Sequence, residues 1–332
     1  MSEMTAERVS GAHPPADLTA SLEAFRTELT GYCYRMLGSA FEAEDAVQES
    51  FVRAWRAFDS FEGRSSLRSW LYRIATNVCL SMLGASQRRA RPMDLTEAQT
   101  ADSPLPTPLP EATWIEPMPD GRVVPDGDPE DVALARESVR LAFVAAIQHL
   151  PAKQRAVLIL REVLRWQASE VAELLDTSVA SVNSALQRAR ATLASRNLDG
   201  ETQPEPMDDA HRELLARYVA AFEAYDMNAL TSVLHDDAAW NMPPYDLWLQ
   251  THDDIVAWCL GKGIGCQGSK LVPVNANGSP AFAQYKPSPD GGHEAWSLQV
   301  LELSGDRISG ITFFLDTARF YPMFGLPLRL ES

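Results

Sequence analysis

The sequence lacks any long hydrophobic run. Although 45% of its 332 residues are hydrophobic, no apolar stretch approaches the roughly 20 residues that a membrane-spanning helix needs. The N-terminal residues also lack a basic start followed by an apolar stretch, which is the pattern of a secretory signal. We therefore expect no membrane segment, no secretion and a cytoplasmic location. The length and the hydrophobic content together predict two or three domains.

Cysteine is also scarce in this chain. The four cysteines, Cys33, Cys79, Cys259 and Cys266, show neither the paired spacing of a zinc site nor that of a disulfide framework. We therefore expect reduced thiols, no metal and no cofactor.

Basic side chains are outnumbered, with 29 Lys and Arg against 45 Asp and Glu, which gives a net charge of −16. If this negative charge were distributed evenly along the chain, it would disfavour nucleic-acid binding. However, residues 92–130 hold nine acidic side chains and one basic, and residues 201–332 hold 18 acidic and eight basic. The remaining stretches are close to neutral or slightly basic. The acidic parts are either segments that cover basic surfaces or an aid to solubility.

Residues 150–193 predict a helix-turn-helix. Apolar side chains recur at helical spacing in Ala168–Leu175 and again from Val182 to Leu193, and Asp176–Ser178 separates them with residues that cap helices. Val182 and Leu186 fall on the core side. The other side of the second helix offers residues that can contact base edges or phosphates: Ser181, Asn183, Ser184, Gln187, Arg188 and Arg190. Such a pair of helices can place one helix in the DNA major groove.

A second block, about one hundred residues upstream, makes this motif specific. It comprises four runs: Tyr34–Gly38, Glu44–Trp55, Gly63–Leu67 and Trp70–Asn77. In order and spacing, the block resembles region 2 of the bacterial sigma factors of the extracytoplasmic-function (ECF) group, and residues 150–193 resemble their region 4. The resemblance implies two all-α domains that bind promoter DNA and the β and β′ subunits of core RNA polymerase.

The resemblance also implies roles for individual residues. The outer face of the helix around Val47 would contact the polymerase, through Asp45, Gln48, Glu49, Arg53 and Trp55; taken alone, the same row would be a solvated helix surface. Basic and aromatic residues that suit unpaired bases and phosphates would hold the promoter −10 element: Arg64, Arg68, Trp70, Tyr72, Arg73, Asn77, Arg88 and Arg89. One of Trp70 and Tyr72 is expected in the core, because side chains two positions apart on a helix do not share a face.

We assign five segments along the chain: a region 2 domain at 18–91, an acidic linker at 92–131, a region 4 domain at 132–197, a linker at 198–206 and a third domain at 207–332. The first linker is rich in proline and acid, which predicts an extended tether without a packed core. Trp114 and Ile115 depart from that composition and suggest a point where the tether docks on another surface.

The third domain shows helices first and strands last. Helical patterns cover 208–225, 227–234 and 252–260, and strand-like runs cover 238–242, 280–285, 294–303 and 307–315. This α+β order, together with the run Asp226–Ala239, resembles the SnoaL-like cone that a minority of ECF sigma factors carry. The resemblance implies a domain that regulates the sigma domains.

Two short segments are the expected regulatory contacts of this third domain. Asn277–Ala281 resembles a motif found in such extensions, and the run after Arg319 is too apolar for an exposed tail. We therefore expect intramolecular contacts at Asn277, Gly278, Pro280, Phe320 and Phe324.

Two alternatives stay open. The helix-turn-helix could belong to a ligand-sensing activator, although such a protein needs no polymerase-docking helix. The protein could instead be bifunctional, with an active cyclase- or isomerase-like pocket in the cone that takes an unknown small-molecule ligand. Its candidate proton carriers are His235, Asp236, Asp237, His252 and Asp253, and its candidate walls are Trp240, Trp248 and Tyr245. These polar residues also suit a loop and a helix cap, and we expect no catalytic activity.

Overall fold

The structure is a computed structural model that describes residues 16–61, 63, 65–84, 88–195 and 208–331. The first helical module contains α1 (Ala16–Glu23), α2 (Arg26–Leu37), α3 (Ala40–Ala57) and α4 (Leu67–Leu83). α2 ends at Gly38, whose φ of +72° is a conformation that favours glycine. Ser39 then caps α3 by accepting the N–H of Glu42. This tight reversal lays α3 against α2.

The segment after α4 is folded against the rest of the chain. It holds two 3-10 turns, Pro92–Asp94 and Glu111–Thr113, and the short helix α5 (Asp120–Val123). Four of its apolar side chains are at most 4% exposed: Trp114, Ile115, Met118 and Val123. The prediction of an extended tether without a packed core is therefore wrong. Burying each such side chain contributes roughly 1.5–3 kcal/mol, which offsets the entropy lost when the segment becomes ordered.

The second helical module contains α6 (Pro129–Val139), α7 (Leu141–Gln148), α8 (Ala152–Leu158), α9 (Ala168–Leu174) and α10 (Val179–Ala194). A single π-helical turn extends α8. Ser178 begins α10 by accepting the N–H of Ser181. Val182 and Leu186 are buried as predicted, so the helix-turn-helix is confirmed as α9 and α10. The linker assigned to 198–206 lies outside the described residues.

The described part of the third module is an α+β cone, as predicted. Its helices are α11 (Asp209–Ala224), α12 (Met227–Val233), α13 (His252–Leu260) and α14 (Thr317–Met323). Its strands are β1 (Leu234–Asn241), β2 (Trp248–Leu249), β3 (Lys270–Ala276), β4 (Ser279–Pro287), β5 (His293–Ser304), β6 (Arg307–Phe314) and β7 (Arg329–Leu330). They form one sheet in the order β2-β1-β6-β5-β4-β3, with β7 also paired to β5. β1 and β6 are parallel, and the other pairs are antiparallel.

Both faces of this sheet are covered. One face carries side chains that belong to the same hydrophobic core as the helical modules: Ala281, Ala283, Tyr285, Leu298 and Val300. The opposite face points into the cone with side chains that pack with those of α11 and α13: Phe282, Leu301, Ile311 and Phe313. The cone thus shares a core with the two helical modules. No helix in the described part of the chain is long and apolar enough to cross a bilayer.

Candidate polymerase and nucleic-acid interfaces

The outer face of α3 is an exposed surface of mixed charge. Its exposed residues are Asp45, Gln48, Glu49, Arg53 and Trp55. Its inner face is buried through Val47, Phe51 and Ala54. Arg53 Nε lies 2.7 Å from Glu49 Oε1, and 45% of the Trp55 surface is exposed. An exposed tryptophan among charged side chains is typical of a protein–protein contact.

α4 exposes polar side chains beside one aromatic ring. Ser66 begins the helix by accepting the N–H of Ser69, and Arg73 and Asn77 are exposed. The half-buried ring of Trp70 packs on Phe61, with ring centroids 4.8 Å apart. This surface combines the groups that an unpaired nucleotide strand requires. Arg64, the first residue predicted for this role, lies outside the described residues.

Tyr72 belongs to the core. It is fully buried, its hydroxyl donates to Glu28 Oε1 at 2.8 Å, and burial raises its pKa well above its usual value. Its prediction as a DNA contact is therefore wrong, whereas the expectation that one of Trp70 and Tyr72 is core is confirmed. Arg68 is held next to it, paired with Glu28.

Arg89 is likewise buried, with 5% of its surface exposed. Its guanidinium lies 2.9 Å from a Glu42 carboxylate oxygen and donates to the carbonyl of Trp114 at 2.8 Å. Because these partners enclose it, the prediction that Arg89 contacts DNA phosphates is wrong for this arrangement of the chain. Arg88 is exposed, and its guanidinium lies 2.8 Å from Nδ1 of His149.

α10 presents its polar face to solvent. Six exposed residues lie along it: Ser181, Asn183, Ser184, Gln187, Arg188 and Arg190. Arg190 pairs with Glu162 at 2.7 Å. The Arg188 guanidinium lies one turn from Ser184 on a helix that α9 supports from behind, which is the geometry of a major-groove reader.

The two helical modules contact each other directly. Arg155 of α8 is 4% exposed and donates to the carbonyl of Met36 in α2. Burial lowers the pKa of Arg155 to about 10, so the side chain stays charged at neutral pH. Arg73 of α4 donates to the carbonyl of Glu173 in α9 at 3.0 Å. The ring of Trp166 lies 5.0 Å from that of Tyr72.

Asn277 contacts both helical modules and the segment between them. It is fully buried in the turn between β3 and β4. Its Nδ2 donates to the hydroxyl of Tyr34 at 2.6 Å and to the carbonyl of Val139 at 2.9 Å. Its Oδ1 accepts the N–H of Met118 at 3.0 Å. One amide therefore binds α2, α6 and the connecting segment at the same time.

The neighbouring Gly278 lies against α6. Its φ is +63°, and a Cβ at this position would lie 2.2 Å from the carbonyl oxygen of Arg136. Its N–H donates to Asp120 Oδ1 at 2.7 Å. Glycine is therefore required here by backbone conformation and by space. Pro280 follows as a half-buried residue of β4.

α14 packs on the start of α3. Phe320 is buried, with its ring 6.3 Å from that of Phe41. The Arg319 guanidinium lies 4.4 Å from the centre of the Phe41 ring and 3.1 Å from Glu116 Oε1. Phe324 is half-buried against the same core. Sequence reasoning missed Glu116, because nothing in its local sequence marks a carboxylate that will be buried.

Comparison with known proteins identifies the family of the chain. Residues 22–89 match the Sigma-70 region 2 family, and residues 140–193 match Sigma-70, region 4. The ECF RNA polymerase sigma factor SigG of Mycobacterium tuberculosis is 46% identical over 321 residues, which cover 94% of this chain and 84% of the relative. The chain belongs to the ECF RNA polymerase sigma factors.

A second relative shares the layout of this sigma factor. The ECF RNA polymerase sigma factor SigJ of Mycobacterium tuberculosis is 29% identical over 283 residues, covering 82% of this chain and 83% of the relative. The crystal structure of SigJ superimposes with a TM-score of 0.59 at 23% sequence identity, over 93% of this chain and 99% of the SigJ chain. The two proteins therefore have the same fold.

Sigma factors are transcription initiation factors and not enzymes. In the cone of this protein, the candidate proton carriers do not line the cavity. Asp236, Asp237, His252 and Asp253 border a shallow depression on the outer surface, and His252 Nε2 lies 2.9 Å from the carbonyl oxygen of the exposed His235. Trp240 and Tyr245 do line the cavity. Trp248 instead donates to the carbonyl of Thr96 at 3.0 Å.

Proposed function

We propose that this ECF sigma factor directs promoter-specific initiation and that the contacts described above are those of a closed state. In that state the cone and the segment from 92 to 131 hold regions 2 and 4 together, in the role of a built-in inhibitor. The observation that carries the proposal is Asn277, whose one amide binds Tyr34 of region 2, Val139 of the region 4 module and Met118 between them.

The spacing of promoter elements supports an opening step. The −10 and −35 elements are named for positions about 25 base pairs apart, which at 3.4 Å per base pair is roughly 85 Å of duplex. In the closed state, Arg73 on the −10 side and Glu173 of the region 4 support helix are joined by a 3.0 Å hydrogen bond. Two modules in direct contact cannot occupy both elements, so promoter recognition requires their separation.

The polymerase-binding face stays exposed in this closed state. Asp45, Gln48, Glu49, Arg53 and Trp55 are not covered by the cone or by region 4, whereas Arg68 is engaged by Glu28 and lies over the ring of Trp166. We therefore expect the closed protein to bind the β and β′ subunits of core polymerase before regions 2 and 4 separate to reach both promoter elements. If polymerase binding precedes promoter recognition in this way, the two steps can be measured separately.

The test replaces Asn277 by an isosteric residue in the full chain. Asn277→Asp removes both donors and places a carboxylate against the carbonyl of Val139, while Asn275→Asp is a matched control two residues earlier on the exposed side of β3. Loss of buried hydrogen bonds costs roughly 1–3 kcal/mol each, which shifts a closed–open equilibrium about tenfold or more. We expect Asn277→Asp to increase promoter binding and run-off transcription by the reconstituted holoenzyme.

Asn275→Asp should leave both activities at the wild-type level, and circular dichroism should show that both variants are folded. Equal promoter binding by wild type, Asn277→Asp and Asn275→Asp would contradict the closed-state proposal. Run-off transcription by the wild-type protein with core polymerase tests the sigma activity separately.

A further inference from the structure

The cone encloses a cavity of about 450 Å³ with aromatic walls. Phe222 of α11, Trp240 of β1, Trp258 of α13 and Phe313 of β6 line it. This volume falls within the usual range of small-molecule sites, and aromatic walls suit flat, apolar ring systems.

The charge of this cavity is opposite to that of the domain around it. Residues 201–332 hold 18 acidic and eight basic side chains. The described residues that line the cavity nevertheless include two lysines, Lys262 and Lys286, and no aspartate or glutamate. Lys286 Nζ lies 3.8 Å from the centre of the Trp296 ring, which also lines the cavity. It also lies 3.3 Å from Oε1 of Glu294, which is not a lining residue, so an anionic occupant would compete with this ion pair. A cationic site with aromatic walls inside an acidic domain favours an anionic occupant.

One polar group of the cavity wall lacks a partner. Trp240 is 3% exposed, and its indole N–H has no hydrogen-bond acceptor in the described part of the chain. Buried N–H groups are nearly always paired. This nitrogen is itself solvent-inaccessible, so an occupant of the cavity would reach the donor only if the Trp240 ring turned.

A strap, which we define as residues 96–109, crosses the mouth of the cavity. Its backbone bonds to the cone at three points: Gln99 N–H to the carbonyl of Trp248 at 2.9 Å, Ala101 N–H to Asp254 Oδ1 at 3.0 Å and Leu109 N–H to the carbonyl of Pro244 at 2.9 Å. Lys262 Nζ donates to the carbonyl of Ala101 at 2.7 Å. Leu105, in the middle of the strap, is half-exposed and lines the cavity.

We propose that this cavity binds a planar aromatic compound carrying a negatively charged group, and that binding stabilises the strap. The rings pack between the aromatic walls, and the anionic group pairs with Lys286 in competition with Glu294. Leu105 becomes buried against the bound ring. The strap continues within a few residues to Trp114 and Met118 in the interface between the modules, so occupancy favours the closed state. Only this last effect rests on the proposed function; binding itself does not.

The test uses two fluorescent probes with the same rings, anilinonaphthalene sulfonate and its uncharged counterpart phenylnaphthylamine, titrated into the full chain. A charge-assisted contact favours the sulfonate by roughly tenfold. Lys286→Met should remove this preference while phenylnaphthylamine binding persists, which shows that the cavity is intact. Lys270→Met, on the exposed side of β3, should keep the preference. Equal affinity of the two probes for the wild-type protein, or equal behaviour of both variants, would overturn the anionic site.

Hydrogen exchange tests the strap independently of transcription. At a concentration of anilinonaphthalene sulfonate that just saturates the wild-type protein, the amides of Gln99, Ala101 and Leu109 should exchange more slowly. The slowing should be smaller in Lys286→Met, which binds this probe about tenfold more weakly. Exchange that does not respond to bound probe would refute the role of the strap. Because neither measurement involves a promoter, failure here leaves the closed-state proposal to its own test.

Discussion

At the scale of the residue, Glu116 links three parts of the molecule. It is 3% exposed, accepts the Ser39 hydroxyl at 2.5 Å and the Ala40 N–H at 3.0 Å, and pairs with Arg319. Its carboxylate thus sits at the N-terminus of α3, where the helix dipole favours negative charge. A buried charge with several partners is costly to leave unpaired, so these contacts form or break together.

We expect polymerase binding to depend on exposed single residues of α3. Changing Asp45 and Glu49 to lysine should weaken association with core polymerase by roughly tenfold or more, because the charges meet the partner directly. Folding stability should change by under about 0.5 kcal/mol per site, as is usual for surface substitutions. The measurements are co-purification with core polymerase and thermal unfolding. Asp209→Lys, at a fully exposed side chain of the cone, is the matched control; unchanged co-purification of the α3 variant would refute the assignment.

Single residues also show where sequence reasoning fails. The exposed and buried faces of α3 follow from helical periodicity alone, so Asp45 and Val47 could be placed correctly. Tyr72 could not, since its partner Glu28 lies 44 residues away, and Arg89 is enclosed by Glu42 and the carbonyl of Trp114. Long-range partners leave no local pattern.

At the scale of the element, α10 is the helix whose exposed face we expect to determine promoter choice. Arg188→Ala should weaken binding to a −35 element by roughly 1–3 kcal/mol if the guanidinium contacts a base edge. A loss that is equal on all sequences, with a smaller salt dependence, would instead indicate a phosphate contact. Titration of labelled promoter DNA with holoenzyme at several salt concentrations measures both. Arg217→Ala, in an exposed position of α11, is the control, and wild-type affinity of Arg188→Ala at every salt concentration would place Arg188 outside the interface.

Two elements were misjudged from sequence for different reasons. The segment 92–131 has the composition of a tether, but a few well-spaced apolar residues such as Trp114 and Met118 are enough to anchor it. β3 was not predicted because Pro273 interrupts its pattern; the strand lies at the edge of the sheet, where proline is tolerated. Apolar residues on both faces of β4 and β5 were the sequence pattern from which it could have been predicted that both faces of the sheet are buried.

At the scale of the whole molecule, the closed state predicts a large change in distance. Labels at Ser81→Cys on α4 and Ser169→Cys on α9 each lie within about three helical turns of the Arg73–Glu173 contact. Cys33, Cys79 and Cys259 are buried, and Cys266→Ser removes the more exposed native thiol. Energy transfer between the labels should be high in the isolated protein and should fall when holoenzyme binds a promoter. Equal transfer in both states would show that the modules do not separate.

The large sequence separation between Asn277 and its hydrogen-bond partner has a consequence for biosynthesis. Its partner Tyr34 precedes it by 243 residues. At roughly 5–20 residues per second, region 2 leaves the ribosome about 10–50 s before the turn that will bind it. Under the closed-state proposal, closure would occur within one chain, at a rate that does not depend on how many copies the cell contains. A sigma factor restrained by a separate protein must instead encounter its inhibitor, so its restraint weakens with dilution. In the closed state that we propose, each chain would carry its own inhibitor in a fixed one-to-one ratio, so a burst of synthesis would not produce sigma factor in excess of inhibitor.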